Sequence, residues 1–364
     1  MSKSELFENL DKLRASEGKV ALATLVNTRG TTPRKEGAQM LVGEGGRILG
    51  SVTIGGCVDA QVIEESAGVL DRNRPRLLEL DLGDEEAWEI GLTCGGTIEV
   101  FMEPVTLDRP GDATLAIYER ARAHADAGGR AAIVTRLDAT GSGGKMLILD
   151  TDVTEGSLGS AELDGRLREE ARAALQAGKS KTVLVDQTRA FIEVLVPPSI
   201  LAIVGGSHVA MPLVTLARTL GFRTVVVDGR PRFATRERFP DVDDLRVGIP
   251  SELVREIPLL PSTALVLVAH DYKYDVPVLK HALATPVGYI GLLGSSRRGA
   301  AILDLLREDG IGESALERVR VPIGLDLGAQ SAPEIALAIM AEVLAVQRKA
   351  TGMPIVEKVR RGLK

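Results

Sequence analysis

The sequence predicts an α/β protein in two parts: a mixed α/β first half and a doubly wound parallel sheet in the second. Three observations carry this. Hydrophobic residues make up 45% of the chain and aromatics only 3%, so the core is aliphatic, as in parallel strands buried under amphipathic helices. From about Ile200 onward, near-continuous Val/Ile/Leu runs alternate with helical stretches, the pattern of a doubly wound sheet. Pro197-Pro198 separates the halves, because proline continues neither a ladder nor a helix. A chain of 364 residues suits two or three domains, and the expected division is 1–197 and 198–364.

In the first half a helix over Ser4–Ser16 precedes a strand over Val20–Asn27. Short strands at Met40–Val42 and Arg47–Val52 flank Gly43-Glu44-Gly45-Gly46 and read as a hairpin. There follow a helix over Val58–Val69, strands Leu77–Leu82 and Thr97–Pro104, and a helix over Ala113–Ala127. Strands Ala131–Thr135 and Met146–Asp150 flank a glycine-rich tip, then come helix Leu163–Ala177 and strands Thr182–Asp186 and Ala190–Val196. The second half reads as strand Leu201–Val204, a glycine-rich turn, a helix through Leu220, and strands Thr224–Asp228 and Ala264–Ala269. Helix Val276–Ala284, strand Val287–Leu292 and helix Ser296–Glu308 complete the alternation. A last helix, Pro333–Gln347, packs on the sheet or on a second protomer, so a homo-oligomer stays open.

Net charge of −6 with mixed signs argues against a nucleic-acid surface, which needs clustered Lys and Arg. No apolar run approaches the roughly 18–20 residues of a membrane span, and the charged start has no signal-peptide core, so a cytoplasmic location is expected. The two cysteines, Cys57 and Cys94, lack zinc-ligand spacing and make no disulfide framework; no metal site is predicted.

Four motifs bear chemistry. At Gly205-Gly206-Ser207-His208-Val209-Ala210 a strand turns into a helix, so backbone N–H groups and the positive helix end can meet an anion. Gly205 takes the first position of the dinucleotide fingerprint and Ala210 the third, but Ser207 stands at the second, where a Cβ crowds a pyrophosphate. Asp228 ends the next strand, where an acidic residue would contact a ribose diol. A second strand-to-helix turn, Gly294-Ser295-Ser296-Arg297-Arg298, puts two arginines at a helix start, where the dipole disfavours them; phosphate binding or a solvated helix start both account for them. His270-Asp271 lies beyond a strand's carboxyl end, where ligands of open α/β sheets bind; taken alone, the pair reads as a packed histidine and a capping aspartate. Cys57 and Cys94 each adjoin two glycines, and Cys57 falls just before a helix whose dipole would favour the thiolate, which ranks it above Cys94.

Several strings together resemble the XdhC/CoxI family, accessory proteins of xanthine dehydrogenase and carbon monoxide dehydrogenase. They include Gly30-Thr31-Thr32-Pro33-Arg34, Gly55-Gly56-Cys57-Val58-Asp59, Cys94-Gly95-Gly96, Glu103-Pro104, the Gly205–Ala210 turn, Asp228-Gly229-Arg230-Pro231, Arg238-Phe239-Pro240, His270-Asp271, Tyr289 to Ser295 and Pro322-Ile323-Gly324-Leu325. The resemblance implies an N-terminal XdhC/CoxI domain and a C-terminal Rossmann-like domain. It also implies a factor that binds molybdenum cofactor (molybdopterin), promotes its sulfuration with a cysteine desulfurase, and inserts it into a molybdenum hydroxylase of the xanthine dehydrogenase class. On this reading Cys57, Cys94, His270 and Asp271 are the reactive candidates. Gly205, Gly206, Ser207, His208, Asp228, Gly294, Ser295 and Arg297 are the cofactor-binding ones. The rival is an NAD(P)-dependent oxidoreductase with His270 or His208 as acid/base, in which Asp228 favours NAD and Arg230 and Arg232 could instead accept the 2′-phosphate of NADP.

Overall fold

The computed structural model describes residues 3–14, 16–30, 32, 34–53, 57–81, 96–107, 112–138, 144–269 and 272–362. The chain divides into two compact units, Met1–Pro197 and Pro198–Lys364.

The first unit opens with α1 (Lys3–Arg14), β1 (Lys19–Gly30), β2 (Gln39–Gly43), β3 (Ile48–Gly50), α2 (Cys57–Arg72), β4 (Arg76–Asp81) and β5 (Gly96–Thr106). It continues with α3 (Ala113–Asp126), β6 (Ala131–Arg136), β7 (Lys145–Leu149), β8 (Thr154–Gly156), α4 (Ala161–Ala177), β9 (Lys181–Val185) and β10 (Thr188–Leu195). Two five-stranded sheets result, in the orders β3-β2-β1-β5-β4 and β8-β7-β6-β10-β9. Among the described residues the two orders are the same topology: a helix, three strands, a helix and two strands, repeated. All the pairings are antiparallel.

The duplication reaches individual side chains. Gly50-Ser51-Val52 and Gly156-Ser157-Leu158 leave β3 and β8 alike, with φ of 82° and 85° at the two glycines. In the first repeat the Asp59 carboxylate, in the first turn of α2, accepts from Ser51 Oγ and from the Thr53 N–H at 3.3 Å. In the second the Asp164 carboxylate, in the first turn of α4, accepts from Ser157 Oγ at 2.7 Å and from the Leu158 N–H at 2.7 Å. An acidic side chain thus ties each strand-to-helix loop to its helix.

Alternation along β1 explains the layering. Val20 and Leu22 face a cluster shared by both sheets with α1 and α3, while Ala21, Ala23 and Leu25 face α2. Helix α4 covers the second sheet in the same way. Between the sheets Lys145 of β7 pairs with Glu103 of β5 at 2.8 Å, and donates to Thr135 Oγ1 at 2.7 Å. Tyr118 of α3 donates to Glu193 of β10 at 2.8 Å. Lys145 and Glu103 are 3% and 9% exposed, so this polar seam is buried. Burial first, and the Glu103 charge second, push the Tyr118 phenol well above its ordinary value.

The second unit contains β11 (Ile200–Val204), α5 (Ala210–Thr219), β12 (Arg223–Asp228), β13 (Asp244–Val247), α6 (Pro250–Leu253), β14 (Thr263–Leu267) and α7 (Tyr272–Leu283). Then come β15 (Tyr289–Leu292), α8 (Ser296–Glu308), α9 (Glu313–Leu316), β16 (Val319–Arg320), α10 (Ala332–Gln347) and α11 (Ile355–Arg360). All six strands pair in parallel, in the order β13-β12-β11-β14-β15-β16. Counted within the unit this is 3-2-1-4-5-6, the Rossmann order. Leu201 and Ile203 pack under α5 and α10, while Ala202 and Val204 pack under α7 and α8. The doubly wound sheet is therefore present. Strands β8, β13 and β16 lie where the sequence carries no clear strand signal, being only two to four residues long. Residues 229–243, between β12 and β13, contain no helix or strand and lie against the turn after β11.

Candidate functional site

The turn after β11 is built by its neighbours before any ligand is considered. Gly205 has φ of 111°, and a Cβ there would come 2.5 Å from the Ala269 nitrogen, which follows β14. At Gly206 a Cβ would come 2.7 Å from the Phe233 carbonyl oxygen and 3.4 Å from the Asp228 carboxylate. Both positions exclude a side chain through close approach of backbone. Ser207 occupies the position where the fingerprint glycine would admit a pyrophosphate. Its Oγ is buried and has no hydrogen-bond partner among the described residues. Helix α5 begins just beyond, with no described side chain capping it at Val209. The Ala210 N–H donates to the Ser207 carbonyl at 3.1 Å and the Leu213 N–H to the Val209 carbonyl at 3.2 Å, and Pro212 between them carries no N–H, so Met211 is the one residue of this first turn with a donor outside these bonds.

Asp228 is 3% exposed at the end of β12. Its Oδ2 accepts from the Gly206 N–H at 2.6 Å and from an Arg230 terminal nitrogen at 2.8 Å. Its Oδ1 accepts from the Arg230 N–H at 2.8 Å and from Arg230 Nε at 2.9 Å. A carboxylate offers about four acceptor positions, and these four bonds fill them. Burial alone would raise the carboxyl's pKa, but the bonds from Arg230 and the Gly206 N–H outweigh it and hold Asp228 below the usual range.

The turn, Asp228 and the following loop enclose a cleft of about 320 Å³. Gly205, Ser207, His208 and Asp228 line it, Gly206 does not, and Arg230, Phe233, Arg238 and Tyr274 complete the wall. The Arg230 guanidinium lies 3.9 Å from the Phe233 ring centre. Arg238 lies 5.3 Å from Phe233 and 5.8 Å from Phe239, and donates to the Phe233 carbonyl at 3.0 Å. It makes no ion pair among the described residues. Sequence reasoning missed Phe233 and Arg238 as wall residues, because a loop without periodicity gives no sign of where it folds back, and Tyr274, because a single aromatic in the first turn of α7 does not show which neighbour it meets. The resemblance string Arg238-Phe239-Pro240 was the available signal.

The structure does not place Gly294, Ser295 or Arg297 on this cleft. Ser295 caps α8, its Oγ accepting from the Arg298 N–H at 3.3 Å. Arg298 pairs with the fully buried Asp275 of α7, so the fold itself accounts for that arginine at a helix start. Arg297 is exposed. Arg232, considered with Arg230 as a 2′-phosphate acceptor, does not line the cleft either.

In the first unit α2 begins at Cys57, one residue earlier than the sequence suggests. The side chain of Cys57 lies outside the described residues, as do Cys94, His270 and Asp271 in their entirety. Gly30 and Gly96 are register partners in β1 and β5. No described helix is long and apolar enough to cross a membrane.

The family model for the XdhC Rossmann domain matches residues 201–343, and that for the XdhC and CoxI family matches residues 13–81 and 124–186. The two segments of the latter fall in the two repeats of the first unit. The chain is 28% identical over 343 residues to a protein of Bacillus subtilis (strain 168) named as a probable xanthine dehydrogenase subunit, across 93% of this chain and 97% of that protein. It is 27% identical over 340 residues to the molybdenum cofactor insertion chaperone PaoD of Escherichia coli (strain K12), across 93% of this chain and 86% of PaoD. A crystal structure from Bacillus halodurans, described as a xanthine dehydrogenase, is similar with a TM-score of 0.78 at 28% identity, covering 96% of each chain. With both units matched, and with a Rossmann-ordered sheet in the second, this chain belongs to the XdhC and CoxI family.

Proposed function

We propose that this protein is an accessory chaperone that binds molybdenum cofactor, supports its sulfuration by a cysteine desulfurase, and inserts it into a molybdenum hydroxylase of the xanthine dehydrogenase class. The observation that carries this reading is the likeness, over 93% of the chain, to a protein named for molybdenum cofactor insertion. The cleft supports it: a 320 Å³ space beside a helix start, with an arginine that has no carboxylate partner among the described residues, suits a cargo that is a flat pterin bearing a phosphate. In this reading Gly205, Ser207 and His208 line the cargo site, Gly206 holds the turn through Asp228, and Cys57 is the sulfur-handling thiol of the first unit. His270 and Asp271 are the other reactive candidates, and Gly294, Ser295 and Arg297 are a second anion contact at α8.

The oxidoreductase reading is the weaker one. A nicotinamide dinucleotide needs Asp228 as ribose acceptor, and Arg230 and Gly206 already occupy that carboxylate. The test is activation of a partner hydroxylase in cells. Deleting the protein is expected to leave the hydroxylase present but inactive, and Cys57→Ser to reproduce most of that loss while Cys94→Ser does not. Full hydroxylase activity without the protein would remove the chaperone reading. Unchanged activation by Cys57→Ser would remove only the thiol assignment.

A further inference from the structure

We infer that Arg238 makes the cleft of the second unit selective for a phosphomonoester on a flat bicyclic ring, against a dinucleotide; the inference rests on the reading of this cleft as the cargo-binding one. Two independent features lead to it. The first is subtractive. In a dinucleotide site the carboxylate at the end of the second strand receives a ribose diol. Here all four acceptor positions of Asp228 are taken from within the chain, three of them by Arg230. A ribose diol would have to displace a guanidinium from a buried carboxylate, leaving that charge without its counterion.

The second feature is additive. Arg238 lines the cleft and forms no ion pair among the described residues. One of its five donors is spent on the Phe233 carbonyl, which fixes the head group at the wall. The same carbonyl presses on Gly206, so the turn and the arginine share one support. A guanidinium so held presents a planar fork to a dianionic terminal phosphate, which offers three oxygens. A phosphodiester bears a single charge and keeps a substituent on each side. Beside the fork, Phe233, 40% exposed, and the Arg230 guanidinium 3.9 Å from its ring centre form a stacked pair on which a planar ring can lie. With Ser207 in place of the second fingerprint glycine, a pyrophosphate is further disfavoured.

Calorimetric titration of the full chain with AMP, adenosine and NAD tests this, because AMP combines a flat bicyclic base with a phosphomonoester. The expected order is AMP tighter than both others by about tenfold or more, the factor one charge-assisted hydrogen bond supplies. Arg238→Gln should bring AMP down to the level of adenosine, and Arg238→Lys should restore part of the difference. Arg230→Gln, which vacates two side-chain bonds on Asp228, should tighten NAD relative to the parent. Melting temperatures of all three variants establish that they fold. AMP and adenosine binding equally, an AMP preference that survives Arg238→Gln, NAD binding tighter than AMP, or no AMP binding at millimolar concentration each overturns the inference. Pterin retained on protein purified from cells is measured separately. Retention with no AMP selectivity removes this inference alone, whereas its absence removes the chaperone reading itself.

Discussion

Gly206 and Asp228 show how one turn is held by contacts within the chain. A methyl group at Gly206 would meet a backbone carbonyl at 2.7 Å, and backbone cannot rotate out of the way as a side chain can. Gly206→Ala is therefore expected to cost about 1–3 kcal/mol of unfolding free energy, read by urea denaturation, with no nucleotide present. A neutral result would mean that the 229–243 loop relaxes freely. For Asp228 the sign of the pH effect follows from its depressed carboxyl. A group with a lowered folded pKa contributes stability above its unfolded value, about 3.9, and loses it as pH falls through the folded value. The stability gap between the parent and Asp228→Asn should be flat above about pH 5 and shrink below about pH 4. A gap that widens on acidification would contradict the pairing with Arg230.

At the scale of elements, the long aliphatic strands and the long helices were legible in the sequence, and helix Ser296–Glu308 has the same bounds in both readings. What sequence hides is pairing. The repeat in the first unit follows from strand order, which no periodicity encodes, and its short third strands carry too few residues to signal themselves. The duplication also alters the meaning of Asp59. Its counterpart Asp164 likewise accepts from a serine hydroxyl and a nearby backbone N–H in a repeat with no cysteine, so this clamp belongs to the scaffold. Of the candidate site, the turn and Asp228 were legible because they sit at strand ends; Arg238 was not, because its place depends on a loop folding back. The polar seam between the repeats gives a sharper prediction. Lys145→Met leaves Glu103 buried without its cation and should cost about 3–5 kcal/mol, whereas Lys145→Met with Glu103→Leu should recover much of it. Equal losses from the single and double variants, in denaturant titration, would show that the pair is not coupled.

For the whole molecule, two units of different architecture accompany two different kinds of candidate chemistry. The first carries the glycine-flanked cysteines in a duplicated antiparallel scaffold, and the second carries the cleft on a parallel sheet. The central claim is that the chain carries molybdenum cofactor as cargo. Its most direct test is the composition of the protein purified from a host that makes this cofactor, with molybdenum measured by mass spectrometry and pterin by fluorescence after oxidation. Molybdenum and pterin should appear together, in near-equal amounts approaching one per chain, with nicotinamide absent. Protein that emerges with stoichiometric NAD(P) and neither molybdenum nor pterin would contradict the account.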